Sequence, residues 1–238
     1  EFIKGTSFER APIIPISAQH AVGVDVLIET IEKTFLTPNR DPDKDPIMFV
    51  ARSFDINKPG IRSKEIVGGV LGGCLMQGVL REGDEIEMLP GRKVIEKNQE
   101  VWKKISTIIS GLRTGGSSVK EAFPSGSIGV LTLLDPSVVK SDQLAGSVVG
   151  YAGKIPPLWY EFSLEVNLLK RVVGSRDDIE VEPIKINEPL MLNVNSAATV
   201  GIVTAVRKNI VKCKLKIPVC AKVNLGSQFL GGLEIGLG

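Results

Sequence analysis

The chain has 238 residues, 43% of them apolar and 24% charged, and its 29 cations exceed its 27 anions by only two. That balance describes a globular protein and not a disordered one, and no apolar run approaches the roughly 20 residues of a membrane span. Net charge does not mark a nucleic-acid binder, although a local basic face is compatible with it. In chain order, "PIIPISAQH" (Pro12 to His20) reads as a short strand and a tight turn feeding a helix over Val24 to Phe35. The apolar positions Val24, Val26, Leu27, Ile31 and Phe35 fit the helical period and call for a covered face. "LTPNRDPDKDP" (Leu36 to Pro46) carries three prolines and suits an extended linker.

From Ile47 onward the texture becomes β. "IMFVARSFD", "IVGGVLGGCLMQGVL", "DEIEML", "ISTIIS" and "SIGVLTLL" are short β-branched runs punctuated by Gly, Pro, Asn and Asp. The pattern stops near "YAGKIPP" (Tyr151 to Pro157) and resumes with "LWYEFSLEVNLL", "LMLNVNS", "TVGIVTAV" and "IVKCKLKI". Two consecutive all-β units with frequent turns point to closed barrels, which hide their sheet edges. The chain therefore divides into 1–36, a linker at 37–46, a first barrel at 47–152 and a second at 153–238.

The side chains exclude several chemistries. A single histidine, His20, rules against a Ser-His-Asp triad or a multi-histidine zinc site. No catalytic residue and no metal ligand is assigned. Three cysteines cannot all pair, which favours a reducing, cytoplasmic setting, and Cys213 and Cys220 read as core residues. "DPDKD" (Asp41 to Asp45) imitates the start of a calcium loop, but Pro46 stands where glycine must turn and Arg52 where the bidentate glutamate belongs. The glycines of "GGVLGGC" lack a following Gly-Lys-Ser/Thr, so close barrel packing explains them better than a phosphate cradle. "NKPG" (Asn57 to Gly60) resembles the Asn-Lys-x-Asp box that reads guanine, yet Gly60 has no carboxylate; as a bland alternative it is a loop between strands. "LLKRVV" (Leu168 to Val173) reads as a strand end or a surface pair.

Taken in order, "IIPISAQH", "RSFDINKPG", "GGVLGGCLMQGVLREGDEIEMLPG", "LDPSVVKSDQLAGSVVG" and "NLLKRVVGS" resemble the gamma-subunit family of translation initiation factor 2, archaeal or eukaryotic. That family is similar to elongation factor Tu, with an α/β GTPase domain followed by two β-barrels. The resemblance implies a mainly β chain: two elongation factor Tu-like barrels preceded by the last strand and helix of the GTPase domain. It implies a GTP form that binds methionyl initiator tRNA and delivers it to the small ribosomal subunit. It maps the guanine-contacting motif to Ser17 and Ala18, with Gln19 beside them, and gives the loop Asn57, Lys58, Pro59 and Gly60 a role at the aminoacylated end of tRNA.

The implied cofactors are GTP or GDP with Mg2+ in the intact protein; this chain alone, without a phosphate loop, is expected to hold none and to be inactive as a GTP hydrolase. The implied partners are the alpha subunit on the first barrel, the beta subunit on the GTPase domain and, in eukaryotic members, an assembly chaperone on the second barrel; no membrane is implied. Two departures stand out. Archaeal relatives carry an arginine where this chain has Ile109, and the family's basic, Trp-rich ending is replaced by "VNLGSQFLGGLEIGLG". The second departure predicts a missing segment between Val223 and Asn224 and, with less force, at Leu230 and Gly231. Alternative readings are a related translational GTPase, such as the selenocysteine-specific elongation factor, and a noncatalytic β-barrel interaction scaffold.

Overall fold

The computed structural model describes residues 8–36, 39–166, 168, 181–222 and 234–236. The expectations at Val223–Asn224, at Leu230–Gly231 and over most of "LLKRVV" lie outside these residues. The chain forms two compact units, 1–40 and 41–238. None of its helices, among the described residues, is long and apolar enough to cross a membrane.

In the first unit the helix α1 spans Val24–Thr34. Asp25 in its first turn and Lys33 in its last complement the helix dipole, and Lys33 pairs with Glu29 one turn back. The helix forms where the periodicity puts it, but its apolar stripe is uncovered among the described residues: Val26, Ile28, Ile31 and Phe35 are all exposed. Pro12 to Ile16 has no ladder partner there either; a strand needs a neighbour, and the segment is tied only by a bridge between Ser17 and Val22.

The second unit is almost entirely β. Its first part runs β1 Ile47–Phe54, β2 Val70–Gln77, β3 Leu80–Arg81, β4 Glu85–Glu96, β5 Gln99–Thr114, β6 Ser117–Val119, β7 Glu121–Ala122, β8 Ser127–Thr132 and β9 Val148–Gly150. Pairing follows the order β4-β9-β1-β2-β8-β5, and β5 returns to β4, so six antiparallel strands close a barrel. Met48, Val50, Leu71, Leu75, Ile86, Met88, Ile109, Leu112 and Val130 fill it. Gly73 marks where β1 and β2 approach: a Cβ there would lie 1.9 Å from the Phe49 carbonyl oxygen, so close packing is indeed what a glycine of "GGVLGGC" serves.

The remaining strands are β10 Leu158–Glu165, β11 Pro189–Val194, β12 Ala197–Arg207, β13 Ile210–Cys220 and β14 Glu234–Gly236, in the antiparallel order β10-β13-β12-β11-β14. Alternation on β11 to β13 sends Leu190, Leu192, Val203, Val211, Cys213 and Leu215 to one buried face. A third cluster of Ile47, Val148 and Cys220, flanked by Phe49, Leu89, Ile155 and Leu158, joins this sheet to the barrel.

Candidate functional site

The loop after Ile16 is closed by its own backbone. Ser17 N–H donates to the Val22 carbonyl at 3.0 Å, Val22 N–H returns a bond at 3.1 Å, and His20 N–H donates to Ser17 at 3.2 Å. Ala21 N–H reaches the Ala18 carbonyl at 3.3 Å with Ala21 at φ 51. The amides of Ala18 and Gln19 are thereby left at an exposed tip with no acceptor among the described residues. Two adjacent free N–H donors suit a carbonyl oxygen of a planar ligand. The chain then enters α1 through Gly23 at φ 71, where a Cβ would lie 2.7 Å from the Pro15 carbonyl oxygen.

The other candidate loop joins β1 to β2. Its base is an Asx turn: Asp55 Oδ1 accepts from Asn57 N at 2.8 Å and from Asn57 Nδ2 at 2.6 Å. Asn57 also spans the loop, donating from Nδ2 to the Val67 carbonyl at 2.7 Å and accepting the Val67 N–H at 2.8 Å. Its side chain is thus committed to the loop. Beyond it, Lys58-Pro59-Gly60-Ile61 makes a turn in which Ile61 N–H donates to the Lys58 carbonyl and Gly60 sits at φ 83, the positions type II turns reserve for proline and glycine. Lys58 is exposed at the tip and has no ion-pair partner among the described residues. The structure thus brings Asn57 to Gly60 together as one hydrogen-bonded turn, while Ser17 to Gln19 belong to the other compact unit.

Ile109 is in the barrel core at 1% exposure, and its N–H and carbonyl are taken by Asp84 and Gly83. A side chain at this position faces inward, so it offers no contact to an external ligand. The acidic run Asp41 to Asp45 is likewise tied up: Asp41 accepts the Asp43 N–H at 2.9 Å and pairs with Lys44 at 3.2 Å, and Lys154 pairs with Asp45 at 3.4 Å. The Asp43 amide, then Lys44, hold the Asp41 carboxyl below its ordinary range. No cluster of metal-ligating side chains exists among the described residues.

Sequence reasoning passed over two features of the barrel. The first is a clamp: Asp142 Oδ1 accepts Arg52 Nε and Ser53 N, each at 2.9 Å, while buried Ser53 Oγ donates to Val139 O at 2.9 Å and accepts Leu144 N at 3.0 Å. Arg52, then the Ser53 amide, lower the Asp142 pKa. The partners are about ninety residues apart, so spacing gives no signal. The second is a cleft of about 350 Å³ at the root of the β4–β5 ribbon, lined by Arg92, Lys93, Trp102, Ser137, Gln143 and the apolar Val138 and Leu144. Its signal in the sequence is Pro90-Gly91, which interrupts an otherwise regular strand pattern.

Comparison with known proteins agrees with this architecture. Residues 160–226 match the family described as "Initiation factor eIF2 gamma, C terminal". The chain is 51% identical over 94% of its length to the translation initiation factor 2 subunit gamma of Methanocaldococcus jannaschii. It is 53% identical, again over 94%, to that of Thermococcus kodakarensis, and 53% identical over 93% to that of Archaeoglobus fulgidus. The chain spans about half the length of these relatives: 54% of the first two and 51% of the third.

Proposed function

The chain belongs to the gamma-subunit family of translation initiation factor 2, and from that premise we propose that it supplies the end of a GTP-binding domain (1–36), a linker (37–46) and two barrels (47–152 and 153–238) of such a factor. In this reading the intact protein, in its GTP form, binds methionyl initiator tRNA and delivers it to the small ribosomal subunit. The alpha subunit docks on the first barrel, the beta subunit on the GTPase domain, and in eukaryotic settings a chaperone on the second barrel. Ala18 and Gln19 would meet the guanine base through their free amides, with Ser17 closing the loop behind them. GTP supplies the switch and Mg2+ the charge neutralisation when bound; the phosphate-binding parts are not among the described residues.

The observation that carries the tRNA role is Lys58, a cation with no ion-pair partner among the described residues, held at the tip of a turn that Asn57 braces from within. A phosphate or the terminal ester of aminoacyl-tRNA is the ligand such a fixed cation suits. In the full-length factor, Lys58→Ala should weaken aminoacyl-tRNA binding by about 1 kcal/mol or more. Equal affinity of variant and parent at two salt concentrations would remove Lys58 from the contact. For the docking role, the 47–152 barrel should retain the alpha subunit in a pull-down; retention by the second barrel alone would overturn that assignment.

A further inference from the structure

We propose that the cleft at the root of the β4–β5 ribbon is a nucleotide site: it takes a phosphorylated nucleoside, free or at an unpaired position of an RNA strand. The cleft exists because β4 bulges. Between the pairs Met88↔Ile105 and Arg92↔Lys103 the β4 side has three residues, Leu89 to Gly91, against one on β5, Lys104. Gly91 permits the bend, with φ 79 and a hypothetical Cβ only 2.0 Å from the Lys103 carbonyl oxygen. The bend lets consecutive residues Arg92 and Lys93 line one cavity, although neighbours on a regular strand point to opposite faces.

The lining is chemically divided. Val138 and Leu144 make an apolar floor, the half-buried Trp102 contributes an indole, and Ser137 and Gln143 add a hydroxyl and an amide. At the cationic end Lys93 pairs with Glu100 at 2.5 Å, whereas Arg92 has no ion-pair partner among the described residues. A guanidinium with no ion-pair partner among the described residues, lining the same cavity as an indole, suits a ligand that is anionic at one end and flat and apolar at the other. The Gln143 amide, with both donors and an acceptor, can read the polar edge of a base. About 350 Å³ lies within the range of small-molecule sites and exceeds the needs of a single aliphatic side chain. These are the elements of unpaired-nucleotide recognition, a ring to stack on and a cation for the phosphate. The cleft shares no residue with the Lys58 loop, so its failure would leave the tRNA reading untouched.

The two tryptophans make the test direct, because Trp159→Phe leaves Trp102 as the sole indole. The 238-residue chain with that change would be titrated with AMP, with UMP and with a short unstructured oligonucleotide while Trp102 emission is followed. Saturable quenching is expected, about tenfold weaker in Arg92→Ala. Gln143→Ala is expected to change the ratio of AMP to UMP affinity while keeping the phosphate dependence. Quenching by the mononucleotides identifies a free ligand, and quenching by the oligonucleotide alone identifies RNA. The proposal falls if neither quenches, if Arg92→Ala binds as the parent does, or if an acidic peptide quenches where nucleotides do not.

Discussion

Asn57 was visible in the sequence only as part of a turn, because the residue it braces, Val67, lies on the far side of the loop. Replacing it by alanine removes the two side-chain bonds to Val67 and the Nδ2 bond to Asp55 at a partly exposed site, and leaves the backbone bond to Asp55 in place. A loss of about 1 kcal/mol in denaturant-derived stability is expected and, where the proposed tRNA contact of the Lys58 loop holds, weaker tRNA binding by the full-length factor although Lys58 is intact. A variant as stable and as active as the parent would mean the brace is idle. The cysteines were more legible, since small apolar-alternating positions favour burial. Cys220 is 3% exposed, its Sγ donates to the Pro156 carbonyl, and burial pushes its pKa up to about 12. Burial also raises the Cys213 thiol. Both should resist an aromatic disulfide reagent at neutral pH until the protein is unfolded; rapid labelling of either in the folded chain would contradict this.

At the scale of elements, alternation identifies the inward residues of β4 but misplaces Glu87. It belongs to the outward set, yet it is only 8% exposed because Lys104 Nζ, 2.6 Å away, and the Gly153 amide, 3.3 Å away, cover it. Lys104 foremost draws its pKa down. The Asp142 clamp, which fastens the segment after β8 to β1, is depressed in the same direction by Arg52. When folding lowers a carboxyl pKa, its stabilisation is complete above the unfolded value and disappears as pH falls through the folded one. Melting temperature should therefore hold to about pH 5 and then drop steadily toward pH 2. Asp142→Asn should be less stable than the parent at neutral pH and lose less on acidification, and parallel curves for the two proteins would exclude the clamp as a contributor. Strand positions were readable because their period is two residues. The clamp was not, because its partners meet only when the barrel closes, and the ribbon bulge left no trace beyond the Pro90-Gly91 interruption.

For the molecule as a whole, the seam of Ile47, Val148 and Cys220 joins barrel and sheet through apolar contact. Gly146 allows the turn before β12 to come close: a Cβ there would be 2.9 Å from the Ala197 Cα. Trp159 Nε1 closes the same region by donating to the Ala221 carbonyl at 3.0 Å. None of this was predictable from either strand pattern alone, since a seam is made by residues that each pattern assigns to its own core. The first unit behaves differently, for its amphipathic helix and its preceding extended segment present donors and apolar surface without enclosing either. That contrast decides what the chain can do with GTP. The amides of Ala18 and Gln19, which have no acceptor among the described residues, could supply at most two neutral hydrogen bonds to a base, each worth about 1 kcal/mol net. Micromolar binding requires about 8 kcal/mol, and in nucleotide sites much of that comes from backbone cradles and cations around the phosphates. No glycine-rich loop ending in Gly-Lys-Ser/Thr occurs anywhere in the sequence. Titration of the 238-residue chain with a fluorescent GTP analogue should therefore show no saturation at micromolar concentration through the Ser17–Gln19 loop. A saturable signal abolished by substituting Ala18 with proline, which removes its N–H, would show that this loop holds the nucleotide unaided and would overturn the argument.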